Sequence, residues 1–298
     1  MDISTVIAGT RFDNPVFLAS GIVDETLKSV ERAIKSGAGA AVTKSIGKDE
    51  RAGYVPPIIS ELPTGMLNAV GLANPGIDDF IDEFKTSFLK EKIVVSIFGK
   101  DSEEFLELAK KVQDAGFTTI ELNLSCPHVK GYGSEVGEDP ELVEEIIKEL
   151  KSKTNLKVWA KLTPNVTHIV DIAKAAERAD ALVLINTVKG IGVNIWARKF
   201  SLTNGIGGYS GPGIKPIALR AVYDVYKETG KELIGVGGIT TYEDAIEFML
   251  LGAKAIQVGT AIYYKDFKIF NEISQGIMNY LEMEGFGSLQ DIIGLMVK

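Results

Sequence analysis

Eight short apolar runs, each followed by an amphipathic segment or a long loop, constrain this chain more than any other feature. They read PVFLAS (15–20), GAAVTKS (39–45), IVVSIFG (93–99), TIELNLS (119–125), KVWAKLT (157–163), ALVLINT (181–187), ELIGVGG (232–238) and AIQVGTA (255–261). Most are rich in β-branched residues, and each ends in small or polar ones. Near-continuous hydrophobicity over so few residues fits strands buried on both faces of a parallel sheet.

Between the runs lie segments of helical period: TLKSVERAIKSG (26–37), DSEEFLELAKKVQDAG (101–116), DPELVEEIIKELKSK (139–153) and TYEDAIEFMLLG (241–252). Asp101 with Glu104 three residues on predicts a capping box, and Gly116 a stop. Thr240 or Thr241 predicts the cap of the segment that Gly252 ends. Eight βα repeats predict an α/β fold, a (β/α)8 TIM barrel formed by residues 1–298 as one domain. An open doubly wound sheet is the runner-up, because local pattern does not encode closure. Two connections, 46–75 and 188–213, are longer than a barrel requires, and long βα loops in this architecture build the active site.

The net charge of −8 lacks the basic footprint of a nucleic-acid binder or of a polybasic membrane patch. A single cysteine, Cys126, forms no internal disulfide. MDISTVIAGT has no basic n-region or apolar h-region, and no apolar run is long enough to span a bilayer. A cytoplasmic protein is the expectation.

Function in a barrel gathers at the C-terminal ends of the strands. The residues there are Ser20, Lys44, Ser45, Ser96, Asn123, Cys126, Lys161, Asn186, Thr187, Gly237, Gly238, Gly259 and Thr260. Two lysines that close strands need partners or a polar ligand, because an unpaired buried ammonium is costly. GVGGI and QVGTA, on the last two strands, offer backbone N–H groups to an oxyanion, a frequent phosphate site in barrels. The glycines of GIGGYSGPG do not match a dinucleotide fingerprint and read as turns.

Cys126 is open to several readings. A lone cysteine is most often a small buried hydrophobe, but Pro127 and a Gly-rich stretch follow it. No metal is expected, since His128 and His168 are the only histidines. His168 reads as a surface residue opening a helix. A nucleophile paired with His128 is one alternative. General acid or base chemistry remains, since a thiol titrating near its usual ~8.5 can take a proton from a moderately acidic carbon.

These motifs together resemble the dihydroorotate dehydrogenases, and among them class 1B. The resemblance covers essentially the whole chain, from NPVFLASG (14–21) to EGFGSLQDIIG (284–294). It runs through TKS (43–45), NAVGLANPG (68–76), NLSCP (123–127), INT (185–187), SGPGIKP (210–216), GVGGI (235–239) and VGTA (258–261). It implies FMN-dependent oxidation of dihydroorotate to orotate in pyrimidine biosynthesis, with one FMN per chain. Carried over residue by residue, it implies that Ser20, Lys44, Ser45, Ser96, Asn123, Lys161, Ile185, Gly211, Gly237, Gly238, Gly259 and Thr260 surround the FMN. Lys44, Asn68, Ala69, Val70, Gly71, Leu72, Asn123, Asn186 and Thr187 would hold the substrate. Cys126 would take the proton at C5 while hydride leaves C6 for flavin N5. Lys161 would stand near flavin N1, and loop 131–139 would act as a lid.

His128 and Ser96 depart from the pattern, standing where many relatives have Asn, and SGPG replaces the commoner SGPA. Class 2 relatives use serine as base and carry an N-terminal membrane helix pair; this chain has neither feature. Class 1B resemblance implies a homodimer within a heterotetramer, whose second subunit carries FAD and a [2Fe–2S] cluster and passes electrons to NAD. One cysteine cannot ligate such a cluster, so it would belong to the partner. A class 1A-like enzyme using fumarate is the nearest alternative. A flavin-dependent tRNA dihydrouridine synthase and a non-redox phosphate-binding barrel are more distant ones.

Overall fold

The computed structural model describes residues 2–124 and 134–297. All eight apolar runs contain strands: β1 (Val16–Leu18), β2 (Ala41–Val42), β3 (Ile93–Ile97), β4 (Thr119–Asn123), β5 (Lys157–Leu162), β6 (Ala181–Leu184), β7 (Leu233–Val236) and β8 (Ala253–Val258). They pair in parallel and close on themselves, β5 pairing with both β4 and β6. Closure rules out the open-sheet alternative.

Helices alternate with these strands: α1 (Leu27–Lys35), α2 (Ile77–Phe84), α3 (Ser102–Asp114), α4 (Pro140–Lys153), α5 (Ile169–Ala175), α6 (Lys215–Thr229), α7 (Tyr242–Leu250) and α8 (Ile269–Glu284). Asp101 caps α3 by accepting from the Glu104 N–H at 2.9 Å. The expected box is not reciprocal, however: the Glu104 carboxylate accepts from Lys100 N instead, one residue upstream. Thr241, not Thr240, caps α7 and forms a full box with Asp244. Gly116 and Gly252, at φ +86° and +112°, turn the chain out of α3 and α7 as expected.

The strands split their side chains by the period of two. Leu18, Val95, Leu122, Ala160, Leu182 and Ile256 face outward into the main core with the helices. Phe17, Val42, Val94, Trp159, Val183, Ile234 and Ala255 form a second buried cluster inside the barrel. An unforeseen hairpin, Thr5–Ile7 with Thr10–Phe12, plugs the N-terminal end of the barrel. Its Ile7 and Phe12 join the inner cluster, and Thr5 bonds the Lys254 carbonyl at the start of β8. Phe17 stacks on Trp159 at 6.1 Å. That end is therefore dry, and polar chemistry is confined to the other.

Across the opposite mouth the two long connections meet, in a way the sequence pattern did not reveal. They form a four-stranded antiparallel sheet in the order Val188–Ile191, Ile206–Ser210, Gly65–Asn68, Ile59–Leu62. Gly208 pairs with Asn68 and Ser210 with Met66, fixing one loop against the other. Among the described residues no helix is long and apolar enough to cross a membrane.

Candidate active site

A cavity of about 240 Å³ opens at the C-terminal ends of the strands, beneath the small sheet. Ser20, Lys44, Ser45, Asn123, Lys161 and Ile185 reach it from the ends of β1, β2, β4, β5 and β6. Gly237, Gly238, Gly259 and Thr260 reach it from the last two, and Gly211 from the second long loop. Asn68, Val70, Gly71 and Leu72 reach it from the first long loop, and Asn186 and Thr187 from just after β6. The expected residues thus converge on one space, with two exceptions among the described residues. Ala69 packs with Leu67 and Leu202 in the core of the small sheet. Ser96 is fully buried one layer behind the wall. Cys126 and His128 lie outside the described residues, as do residues 131–133 of the expected lid. Residues 134–138 form one short helix, and His168 is the exposed N-cap of α5.

A polar relay lines one side. Ser45 and Ser96 share a hydrogen bond of 2.9 Å. Asn123 donates to the Ser45 hydroxyl at 2.9 Å, and Asn186 donates to the Asn123 side-chain carbonyl at 3.4 Å. Thr187 N in turn donates to the Asn186 side-chain carbonyl at 2.8 Å. Ser96 thus acts on the site through Ser45. The relay fixes which end of each amide faces the cavity, the requirement for reading the edges of a small amide-bearing ring.

The opposite side is a backbone cradle. Gly237 and Gly238 have φ of +130° and +78°. A Cβ at Gly238 would stand 2.9 Å from Lys215 N and 3.0 Å from the Gly211 carbonyl. Only glycine fits, which leaves the backbone open to a bulky anionic group. Thr260 adds a hydroxyl, donating to Ser210 Oγ at 2.8 Å.

Charge is concentrated at two points. Lys44, at the mouth, pairs at 3.3 Å with Glu25, a largely exposed carboxylate that can release it. Buried beside it, Asp24 accepts from Gly21 N through one oxygen, while its other oxygen has no hydrogen-bond partner. Burial pushes the Asp24 carboxyl up to about 6, against the pull of the Lys44 charge. Deeper, Lys161 lies 3.2 Å from Glu121, and both are buried. Gln257 donates to the other Glu121 oxygen at 2.7 Å and accepts weakly from Lys161 at 3.5 Å.

Glu121 and Gln257 line the cavity too, and neither was expected from sequence. The signal was present: each is a polar residue inside an apolar strand, two residues before an expected site residue, Asn123 or Gly259. The pleat puts such pairs on the same inner face.

The dihydroorotate dehydrogenase family model matches residues 2–281. The chain is 52% identical over 298 residues to the dihydroorotate dehydrogenase B (NAD(+)) catalytic subunit of Thermoplasma acidophilum, covering 100% of this chain and 99% of that one. It is 54% identical over 292 residues to the protein of the same name from Pyrococcus horikoshii, covering 97% and 96%. Among solved structures it resembles the dihydroorotate dehydrogenase of Eimeria tenella in complex with ferulenol. The TM-score is 0.86 at 25% identity, over 99% of this chain and 88% of the other. Barrel, site and comparisons agree: this chain belongs to the dihydroorotate dehydrogenase family.

Proposed function

We propose that this chain oxidises dihydroorotate to orotate with a bound FMN, as the catalytic subunit of a B-type enzyme whose final acceptor is NAD. The observation that carries the reading is the cavity wall itself. A glycine cradle, a strand-end lysine at the mouth, a buried lysine in the floor and three asparagines face one space. A non-redox phosphate barrel has no use for that combination.

The residues present fit FMN. The cradle of Gly237, Gly238 and Gly259, with Thr260, suits its phosphate. Ser20, Ser45, Lys161 and Ile185 would flank its ring. FMN, when bound, supplies the hydride acceptor, a chemistry that no side chain provides.

The protein's own residues supply the rest. Lys44 exchanges Glu25 for the substrate carboxylate, a charge-assisted contact. Asn68, Asn123 and Asn186 read the amide edges, and the Ser45–Ser96 relay keeps Asn123 from turning over. Cys126, outside the described residues, takes the proton from C5 as general base. Thiolate character at that position requires alkaline pH or a nearby positive charge.

Electrons leave through a partner subunit carrying FAD and a [2Fe–2S] cluster. The support is the name shared by the relatives, catalytic subunit of an NAD(+) enzyme. The single cysteine agrees with it, being too few to ligate a cluster in this chain. Assembly as a homodimer core bearing two such partners follows the same reading.

Purification tests the proposal. The protein should be yellow, release FMN on denaturation, and bleach anaerobically when mixed with dihydroorotate. A colourless protein that does not bind added FMN would contradict it.

A further inference from the structure

We infer that Glu121 and Gln257 are positioning residues that set the charge Lys161 presents to the cofactor site. The inference rests on the FMN reading above and goes beyond it. Inside the barrel, moving toward the mouth, the filling changes from Phe17, Trp159 and Ala255 to Glu121, Lys161 and Gln257. Glu121 and Lys161 come from the neighbouring strands β4 and β5, and Gln257 from β8 across the barrel. Strand pairing sets Asn123 opposite Lys161, and Glu121 one pleat below, opposite Trp159. Glu121 therefore reaches the Lys161 ammonium from beneath, on the side away from the cavity mouth.

The contacts fix both partners. Gln257 spans the barrel to donate to Glu121 Oε2 at 2.7 Å, turning Oε1 toward Lys161 at 3.2 Å. The amide carbonyl of Gln257 meets the same ammonium at 3.5 Å. Glu121 Oε1 has no other hydrogen-bond partner, so its charge is directed at the lysine alone. In so dry a setting an ion pair is felt strongly. The ammonium then reaches the cofactor site as one end of a dipole, with its charge largely offset. A lone lysine would stabilise a reduced, anionic flavin ring far more. The carboxylate holds that stabilisation down, so the bound flavin is harder to reduce and passes electrons on more readily.

The test is the midpoint potential of bound FMN, measured by equilibration with a reference dye in wild type, Glu121→Gln, Lys161→Met and the double variant. Glu121→Gln should move the potential upward. In the Lys161→Met background the same substitution should leave it nearly unchanged, because the carboxylate acts through the lysine. An unchanged or lowered potential in Glu121→Gln, or an equal shift in both backgrounds, overturns the inference. Should Glu121→Gln fail to fold, Glu121→Asp replaces it. That variant keeps the charge but lengthens the pair, and the same upward direction is required. If wild type binds no FMN, the failure belongs to the functional proposal instead.

Discussion

Lys161 and Glu121 form a 3.2 Å ion pair inside a closed barrel, with the second carboxylate oxygen held by Gln257. Breaking such a pair from one side leaves a buried charge uncompensated, which costs about 3–5 kcal/mol. Lys161→Met should therefore lower unfolding stability by roughly that amount. Lys161→Met combined with Glu121→Gln should recover most of the loss. Urea unfolding of the FMN-free protein checks both, and an additive pair of losses would contradict the coupling.

Asp24 predicts a dependence on pH. Its carboxyl is raised to about 6 by burial, above the ordinary 3.8. Between those values the folded state holds a proton that the unfolded chain has lost, so stability falls as pH rises. The penalty is complete above about 6, and the shift corresponds to at most about 3 kcal/mol. Asp24→Asn keeps an acceptor for Gly21 N and removes the titration. Its thermal midpoint should gain on wild type from pH 4 to 6 and hold that gain above. A constant difference across the range would contradict it.

The Gly238 backbone predicts a steric gate. A Cβ there meets Lys215 N and the Gly211 carbonyl, and φ is +78°. Gly238→Ala should distort the cradle and weaken FMN binding by roughly tenfold or more, equivalent to about 1.4 kcal/mol. Quenching of FMN fluorescence on titration with apo-protein measures it. Unchanged affinity would remove the cradle from phosphate binding.

Lys44 predicts ligand affinity. Its ammonium rests on an exposed carboxylate, from which a bound carboxylate can take it. Lys44→Ala should weaken orotate binding about 10- to 100-fold, the range for a lost charge-assisted hydrogen bond. Titration of the flavin absorbance with orotate checks this, and unchanged affinity would place the substrate carboxylate elsewhere.

The barrel was legible because each of its strands is a short apolar run with a polar end, a pattern repeated eight times. The mouth was legible for the same reason: strand ends name the residues that reach it. The small sheet was not, because its central pairing joins GMLN to IGGYS, two glycine-bearing segments more than a hundred residues apart. Neither segment shows strong β-propensity, and what stabilises them is each other. The N-terminal hairpin was missed because its turn residues, Ala8 and Gly9 at φ +51° and +73°, lack the Asn-Gly signal for that geometry. Ala69 was grouped with its neighbours by motif, while the strand pleat turned it into the small core. Glu121 was overlooked because a charge in mid-strand carries no strand-end signal, although inner-face parity with Asn123 identifies it.

The central claim is a proton and a hydride leaving adjacent carbons of one small ring, with Cys126 taking the proton. Anaerobic stopped-flow mixing of FMN-loaded protein with dihydroorotate tests it most directly, in wild type, Cys126→Ser and Cys126→Ala. Bleaching should be rapid in wild type, sharply slower in Cys126→Ser and almost absent in Cys126→Ala, with FMN retained in all three. Bleaching at the wild-type rate in Cys126→Ala would contradict it.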